Sequence, residues 1–195
     1  MGVEYTNRKG DLYRILQGRT KTGKPKYYCS RKPGGVPVES LPPEFEIHEH
    51  PDTATVSVRK VRPSRSLEQE IQFIDAQIRS LAGIDHFILD RNGDEIIVYL
   101  CDRDPKQVDQ MIGKLLGPFG IAGGLGDWAR QRARYSPVMR FTLVDEVKRH
   151  FQLERWCFRS QVDDWIPISA PVQTLEKLTR KFVPHLGRES FYELF

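Results

Sequence analysis

Nine lysines and arginines lie within the first 32 residues: Arg8, Lys9, Arg14, Arg19, Lys21, Lys24, Lys26, Arg31 and Lys32. Only Glu4 and Asp11 oppose them, so this segment carries +7 while the whole chain carries +4. Residues 33–195 are therefore net −3. Tyr5, Tyr13, Tyr27 and Tyr28 are interleaved with these cations. Ammonium and guanidinium groups neutralise phosphates, and phenol rings stack on bases. The chemistry written here is polyanion binding, with nucleic acid as the expected ligand. The expected contacts are Arg14, Arg19, Lys21, Lys24 and Lys26, with Tyr27 or Tyr28 as the stacking ring. On a strand these two tyrosines face opposite sides, so at most one of them serves. The competing view is a solvated basic turn whose tyrosines fill a small core.

A second basic run, Arg130, Arg132 and Arg134, shares one face if extended and spreads around the axis if helical. With Arg140, Arg155 and Arg159 it would extend the cationic surface into the rest of the chain, against the ordinary alternative of a solvated helix. Gly117-Pro-Phe-Gly-Ile-Ala-Gly-Gly-Leu-Gly126 offers main-chain N–H groups to a phosphate. It lacks the Gly-Lys-Ser/Thr end of a phosphate loop and the glycine spacing of a dinucleotide site, so it reads as a connection. His48 and His50 stand two apart on an expected strand, on one side, with no third metal ligand evident. Asp102, Asp104 and the pair Asp163-Asp164 are the acids available to a cation-dependent nuclease. Asp104 before Pro105 is better explained as a helix cap, and Asp163-Asp164 as a turn. Cys157 lies between Arg155 and Arg159, yet a strand cysteine among aromatics is usually core. No cofactor is expected.

The elements that must position these groups follow from periodicity. Residues 3–61 read as all β. Leu12, Arg14 and Leu16 alternate with Tyr13, Ile15 and Gln17, and Lys26–Ser30 pairs back across a basic tip at which Gly23 takes positive φ. Phe45–Glu49 and Thr53–Val61 form a second hairpin turning at Pro51-Asp52. Arg62-Pro-Ser-Arg-Ser66 is the expected linker. Ser66 starts a helix whose stripe is Leu67, Ile71, Ile74, Ile78 and Leu81, stopped by Gly83. Asp85–Asp90 and Glu95–Leu100 flank Arg91-Asn-Gly-Asp94, whose central Asn92-Gly93 is a strong hairpin signal. A helix is expected from Pro105 to Leu116. Val138–Val147 pairs with Phe151–Ser160, and Pro171 opens a last helix with Val172, Leu175, Leu178 and Phe182 on one face.

Length and composition suit one ordinary domain or two small ones, with a real apolar core. The cysteines Cys29, Cys101 and Cys157 are odd in number and far apart, which points to reduced thiols. No apolar run approaches the roughly 18–20 residues of a membrane span, and the first residues lack a signal-peptide pattern. A cytoplasmic protein with no membrane partner is expected.

Tyr5-Thr-Asn-Arg-Lys-Gly-Asp-Leu-Tyr13, Thr20-Lys-Thr-Gly-Lys-Pro-Lys-Tyr-Tyr28, Cys157-Phe-Arg with Asp163-Asp-Trp165, and His185-Leu-Gly-Arg-Glu-Ser-Phe-Tyr192 carry a resemblance. With these motifs the chain resembles a family of bacterial hypothetical proteins that has no known activity. The resemblance implies a bacterial cytoplasmic protein and supplies no catalytic residues.

The expected architecture is α+β: a small basic antiparallel β module over 1–62, then a mixed body of β-hairpins and about three helices over 66–195. The expected function is non-enzymatic DNA or RNA binding by the module. Two alternatives stand beside it. One is an adaptor whose basic face meets an acidic protein partner or a second copy in a homodimer. The other is a metal-dependent nuclease or hydrolase built on the Asp and His groups.

Overall fold

The structure, a computed structural model, describes residues 2–102, 132–159, 162–168 and 171–193. Among these residues are eleven strands in three antiparallel sheets and two α-helices, so the class is α+β. The helix expected over 105–116, the glycine-rich loop at 117–126, Asp104 and Arg130 lie outside the described residues. The chain divides into two compact units, one containing Met1–Val61 and the other Arg62–Asp102 with Tyr135–Phe195.

The first unit is all β. Strand β2 (Leu12–Arg19) is central to a sheet with β1 (Glu4–Thr6), β3 (Pro25–Ser30) and the two-residue β4 (Val36–Pro37). β3 pairs along one edge of β2, while β1 and then β4 share the other. The handover occurs at Ile15. Its N–H donates to the Val3 carbonyl (3.0 Å), and its own carbonyl accepts from Val38 N–H (3.1 Å). β5 (Phe45–Glu49) and β6 (Val56–Lys60) form the second hairpin in register Phe45 to Lys60. Simple alternation fails in β2. Tyr13 and Ile15 are buried on one face, but Leu16 is buried on the other. Gly35 explains this: a Cβ there would lie 3.0 Å from Leu16 Cδ1, so bare backbone closes over the leucine.

The second unit is a five-stranded antiparallel sheet in the order β11-β10-β9-β8-β7. Its strands are β7 (Phe87–Asn92), β8 (Glu95–Cys101), β9 (Tyr135–Asp145), β10 (His150–Arg159) and β11 (Val162–Pro167). Asp163 and Asp164, expected in a turn, lie within β11 because they pair with Phe158 and Cys157 of β10. Ile96, Val98, Met139, Phe141, Leu143, Phe151 and Leu153 meet Ile74 of α1 (Glu68–Gln77), Ile78 of the helical turn that continues it (Ile78–Ala82), and Leu175, Leu178 and Phe182 of α2 (Leu175–Phe182) in one core. Each of the fully buried phenylalanines Phe141 and Phe151 contributes about 2–3 kcal/mol of apolar transfer. Ile97 and Tyr99, on the opposite sheet face, are buried as well, which is why β8 reads as an unbroken apolar run.

Several boundaries differ from expectation, each for a local reason. Asn92 pairs with Glu95, so the tight turn is Gly93-Asp94 and not Asn92-Gly93. Gly93 takes φ +63°, as the first position of a primed two-residue turn requires. Ser66 does not cap α1: its hydroxyl is bonded to that of Ser64 at 2.7 Å. The Leu67 N–H is instead satisfied by the Glu70 carboxylate at 2.7 Å. α2 begins at Leu175 because Gln173 is held extended by a reciprocal main-chain bridge to Phe151 (2.7 and 3.1 Å). Val172 is left exposed outside the helix.

The segment expected to be a linker is fastened down within the second unit. Arg62 donates to Asn92 (3.0 Å), and Arg65 grips the Asp94 carboxylate through both its main-chain N–H (3.1 Å) and its guanidinium. Arg149 bonds the Arg65 carbonyl (3.1 Å) and Glu70 (2.9 Å). Hydrogen bonds from Arg65 hold the Asp94 carboxyl below the usual carboxylate range. A lowered native pKa gives stability that is present above the unfolded value and is lost as pH falls through the native one. Asp94→Asn is therefore expected to be less stable than the native chain at neutral pH. That difference should close as pH drops below about 4 in urea unfolding followed against pH.

Candidate nucleic-acid interface

The β2–β3 hairpin closes over Thr20–Lys24. Thr20 N–H donates to the Lys24 carbonyl (2.8 Å), Gly23 N–H to the Thr20 carbonyl (2.9 Å), and Lys24 N–H to Thr20 Oγ1 (3.1 Å). Gly23 sits at φ +80°, a left-handed position that glycine takes without a Cβ penalty. The tip is thus a bonded turn, and its main chain is occupied by its own hydrogen bonds. Its side chains are not. Arg19, Lys21, Lys24 and Lys26 are exposed, and among the described residues none of them forms an ion pair.

Of the other five N-terminal cations, four are engaged, while Lys32 is exposed and forms no ion pair among the described residues. Arg8 pairs with Glu49 at 2.8 Å, Arg14 with Glu4 at 3.2 Å, and Arg31 with Asp11 at 3.5 Å. Lys9 donates to the Thr53 carbonyl at 3.0 Å. The Arg14 and Arg31 pairs are exposed, and such pairs exchange readily with other partners. The Arg8 pair is not exposed: its side chains retain 18% and 14% of their accessible surface.

Arg8 belongs to a polar clasp that sequence reading missed. Glu49 accepts from Tyr5 Oη (3.0 Å), the Arg8 main-chain N–H (3.2 Å) and the Arg8 guanidinium. Arg8 also donates to the carbonyls of His50 (3.1 Å), Pro51 and Asp52 (2.8 Å). Asn7, 4% exposed, donates to the Ala54 carbonyl at 2.8 Å. Its own Oδ1 accepts from Lys9 N–H (3.1 Å) and Asp11 N–H (2.8 Å). Ala54 is fully buried at φ +60°, a conformation costing a non-glycine residue about 1–2 kcal/mol. The Asn7 bond helps to hold it there. Burial and the Glu49 carboxylate push the Tyr5 phenol above its ordinary pKa. The signal available in the sequence was Asn7-Arg-Lys-Gly10, a side-chain-capped turn.

The four tyrosines separate clearly. Tyr5 is bonded to Glu49, and Tyr13 is buried. Tyr27 packs edge-on against Phe45, with ring centroids 5.0 Å apart. Tyr28 lies on the other face of β3 and is 38% exposed. Of the expected pair, Tyr28 is the more exposed ring and Tyr27 is half-buried.

Arg132 and Arg134 are exposed. Arg140 and Arg155 do not extend a basic surface, which corrects the expectation for them. Arg140 is held between Glu95 (2.9 Å) and Glu154 (2.7 Å), with its guanidinium 4.7 Å from the Trp165 ring centroid. Arg155 is 7% exposed and donates to the Tyr192 carbonyl. The reason is register: Arg140 stands directly between Ile97 and Glu154 on the sheet, so that Glu154 beside it and Glu95, two residues before Ile97, meet it on the same face.

The groups considered for catalysis are scattered. The His48 and His50 rings are 6.4 Å apart. Among the described residues, no three His, Cys, Asp or Glu side chains converge as metal ligands. Asp163 and Asp164 are exposed on β11. His185 Nδ1 lies 2.9 Å from Ser190 Oγ, a contact within consecutive short turns. Burial pushes the Cys29 thiol pKa up, which lowers its thiolate fraction and reactivity. Among the described residues, no helix is long and apolar enough to cross a membrane.

Asn7→Ala removes a buried donor and acceptor together and frees the strained Ala54 turn. It is expected to cost about 1–3 kcal/mol in equilibrium urea unfolding of the full chain, while leaving the hairpin cations in place. No protein-family model, curated protein or solved structure matches this chain.

Proposed function

We propose that the protein binds nucleic acid through the tip of the β2–β3 hairpin and performs no chemistry on it. The observation that carries this reading is the group of four exposed cations, Arg19, Lys21, Lys24 and Lys26, around one hydrogen-bonded turn, none of which forms an ion pair among the described residues. Charges without internal partners lose little on meeting phosphates, because no native ion pair has to be broken first. Each phosphate neutralised releases condensed counterions and adds salt-dependent affinity. Arg14 joins this group by exchanging its exposed partner Glu4 for a phosphate. Arg132 and Arg134 supply further exposed positive charge. Tyr27 acts through packing, by supporting the hairpin against Phe45.

In this reading the protein works in a bacterial cytoplasm, where a basic module meets DNA or RNA directly. The charge arrangement favours nucleic acid over an acidic protein partner. The tip presents long, exposed side chains around a turn, which follow a repeating phosphate backbone more readily than they complement a shaped protein surface.

The double charge reversal Lys24→Glu with Lys26→Glu is the test. Fluorescence anisotropy with labelled oligonucleotides should show affinity falling by at least tenfold at low salt. The slope of log affinity against log salt should flatten by about one for each phosphate that is no longer neutralised. Unchanged affinity and slope would reject this site.

A further inference from the structure

We infer that the ligand is single-stranded, and that a base stacks on Tyr28 while Lys26 and the tip cations hold the flanking phosphates. The inference rests on the proposed nucleic-acid reading and specifies its substrate class. The pairing register defines the surface. Leu16 stands opposite Tyr28, and Gly18 opposite Lys26, on one face of the β2–β3 ribbon. Lys26 and Tyr28 are two residues apart on β3, so they project from the same face. Both are exposed, whereas the opposite face holds the buried Ile15 and the Tyr27–Phe45 contact.

Two glycines border the Tyr28 ring. A Cβ on Gly18 would lie 3.4 Å from Tyr28 Cε1, and one on Gly35 would lie 3.1 Å from its hydroxyl. One part of the ring therefore rests against bare backbone, and no neighbouring side chain at either position screens the rest. The phenol ring is held against this backbone while keeping 38% of its accessible surface. This is what a stacking platform needs: a fixed aromatic surface, open access and a cation within reach of the next phosphate. Duplex bases cannot use it, because their faces are already stacked on one another and only their edges and phosphates are presented in the grooves. An unstacked strand presents both base faces and phosphates.

The test compares a short oligothymidylate, an oligouridylate of the same length and a duplex of that length against the full-length protein. Three variants are used: Tyr28→Leu, which keeps apolar bulk over Gly18 without an aromatic face, Tyr28→Trp, and Lys24→Glu with Lys26→Glu. The native protein is expected to prefer the single strands to the duplex. Tyr28→Leu should weaken single-strand binding by about tenfold and leave duplex binding within about twofold. Tyr28→Trp should bind single strands at least as tightly as the native chain, which separates loss of stacking from loss of folding. The ratio of thymidylate to uridylate affinity distinguishes DNA from RNA as the source of the strand. If Tyr28→Leu binds single strands as the native protein does, while the charge-reversed variant does not, stacking is overturned and the basic-hairpin reading survives. If the native duplex affinity equals or exceeds that for single strands, the single-strand inference is likewise overturned. If the native protein binds none of the three, both the reading and the inference fall.

Discussion

The carboxylate of Glu49 is the constraint on which the N-terminal unit depends. That unit buries few apolar side chains, chiefly Tyr13, Ile15, Leu16, Val38, Ala54 and Val56. A core of that size stabilises a fold only marginally. Glu49 ties β5 to the chain that follows β1 by accepting from Tyr5 and from both main-chain and guanidinium groups of Arg8. Arg8 then reaches the carbonyls of the following turn, and Asn7 secures Ala54 behind it. A buried charge pair contributes to stability only when its remaining donors and acceptors are also satisfied. Here the terminal guanidinium nitrogens meet three carbonyls besides the carboxylate and the carboxylate meets a phenol besides the guanidinium, so that among these groups the buried Arg8 Nε is the atom left outside the hydrogen-bonded set.

This clasp also sorts the positive charge. A +7 segment reads in one dimension as a uniform basic surface. In the fold, Arg8 and Lys9 become internal fasteners, and Arg14 and Arg31 gain acidic neighbours. Among the described residues, the cations of this segment that form no ion pair are the four at the hairpin tip and Lys32. The module is therefore held together at the β5–β6 turn and charged at the β2–β3 turn, with the two tasks assigned to different cations. The second unit treats its arginines in the same manner. Arg140 lies between two glutamates and over a tryptophan, and Arg155 reaches main-chain carbonyls while buried.

Local signals were legible where one residue type meets one backbone demand. Gly23 and Gly93 mark both primed or left-handed turns, and the apolar pairs Ile74/Ile78 and Leu178/Phe182 mark the buried helix faces. Boundaries were less legible because distant partners decide them. Gln173 stays extended through its bridge to Phe151, so proline at 171 does not open the helix. Leu16 is buried against the alternation because Gly35 closes over it. At the candidate site, the tip cations were visible as a charge run. The partners of Arg8 and Arg14 were not visible, since they lie 41 and 10 residues away along the chain. Neither was the difference between Tyr27 and Tyr28, which strand alternation implies but only the position of Phe45 decides.

The central claim is that the free cations of the hairpin tip, and not the engaged cations of the clasp, meet the ligand. Amide chemical-shift mapping of the full-length protein during titration with a short oligothymidylate addresses it most directly. The account predicts shifts concentrated at Arg19–Tyr28, saturating together and reversed by added salt. Arg8, Asn7 and the His50–Ala54 turn should stay still. Shifts centred on the clasp or spread over the second unit, with the hairpin unmoved, would contradict it.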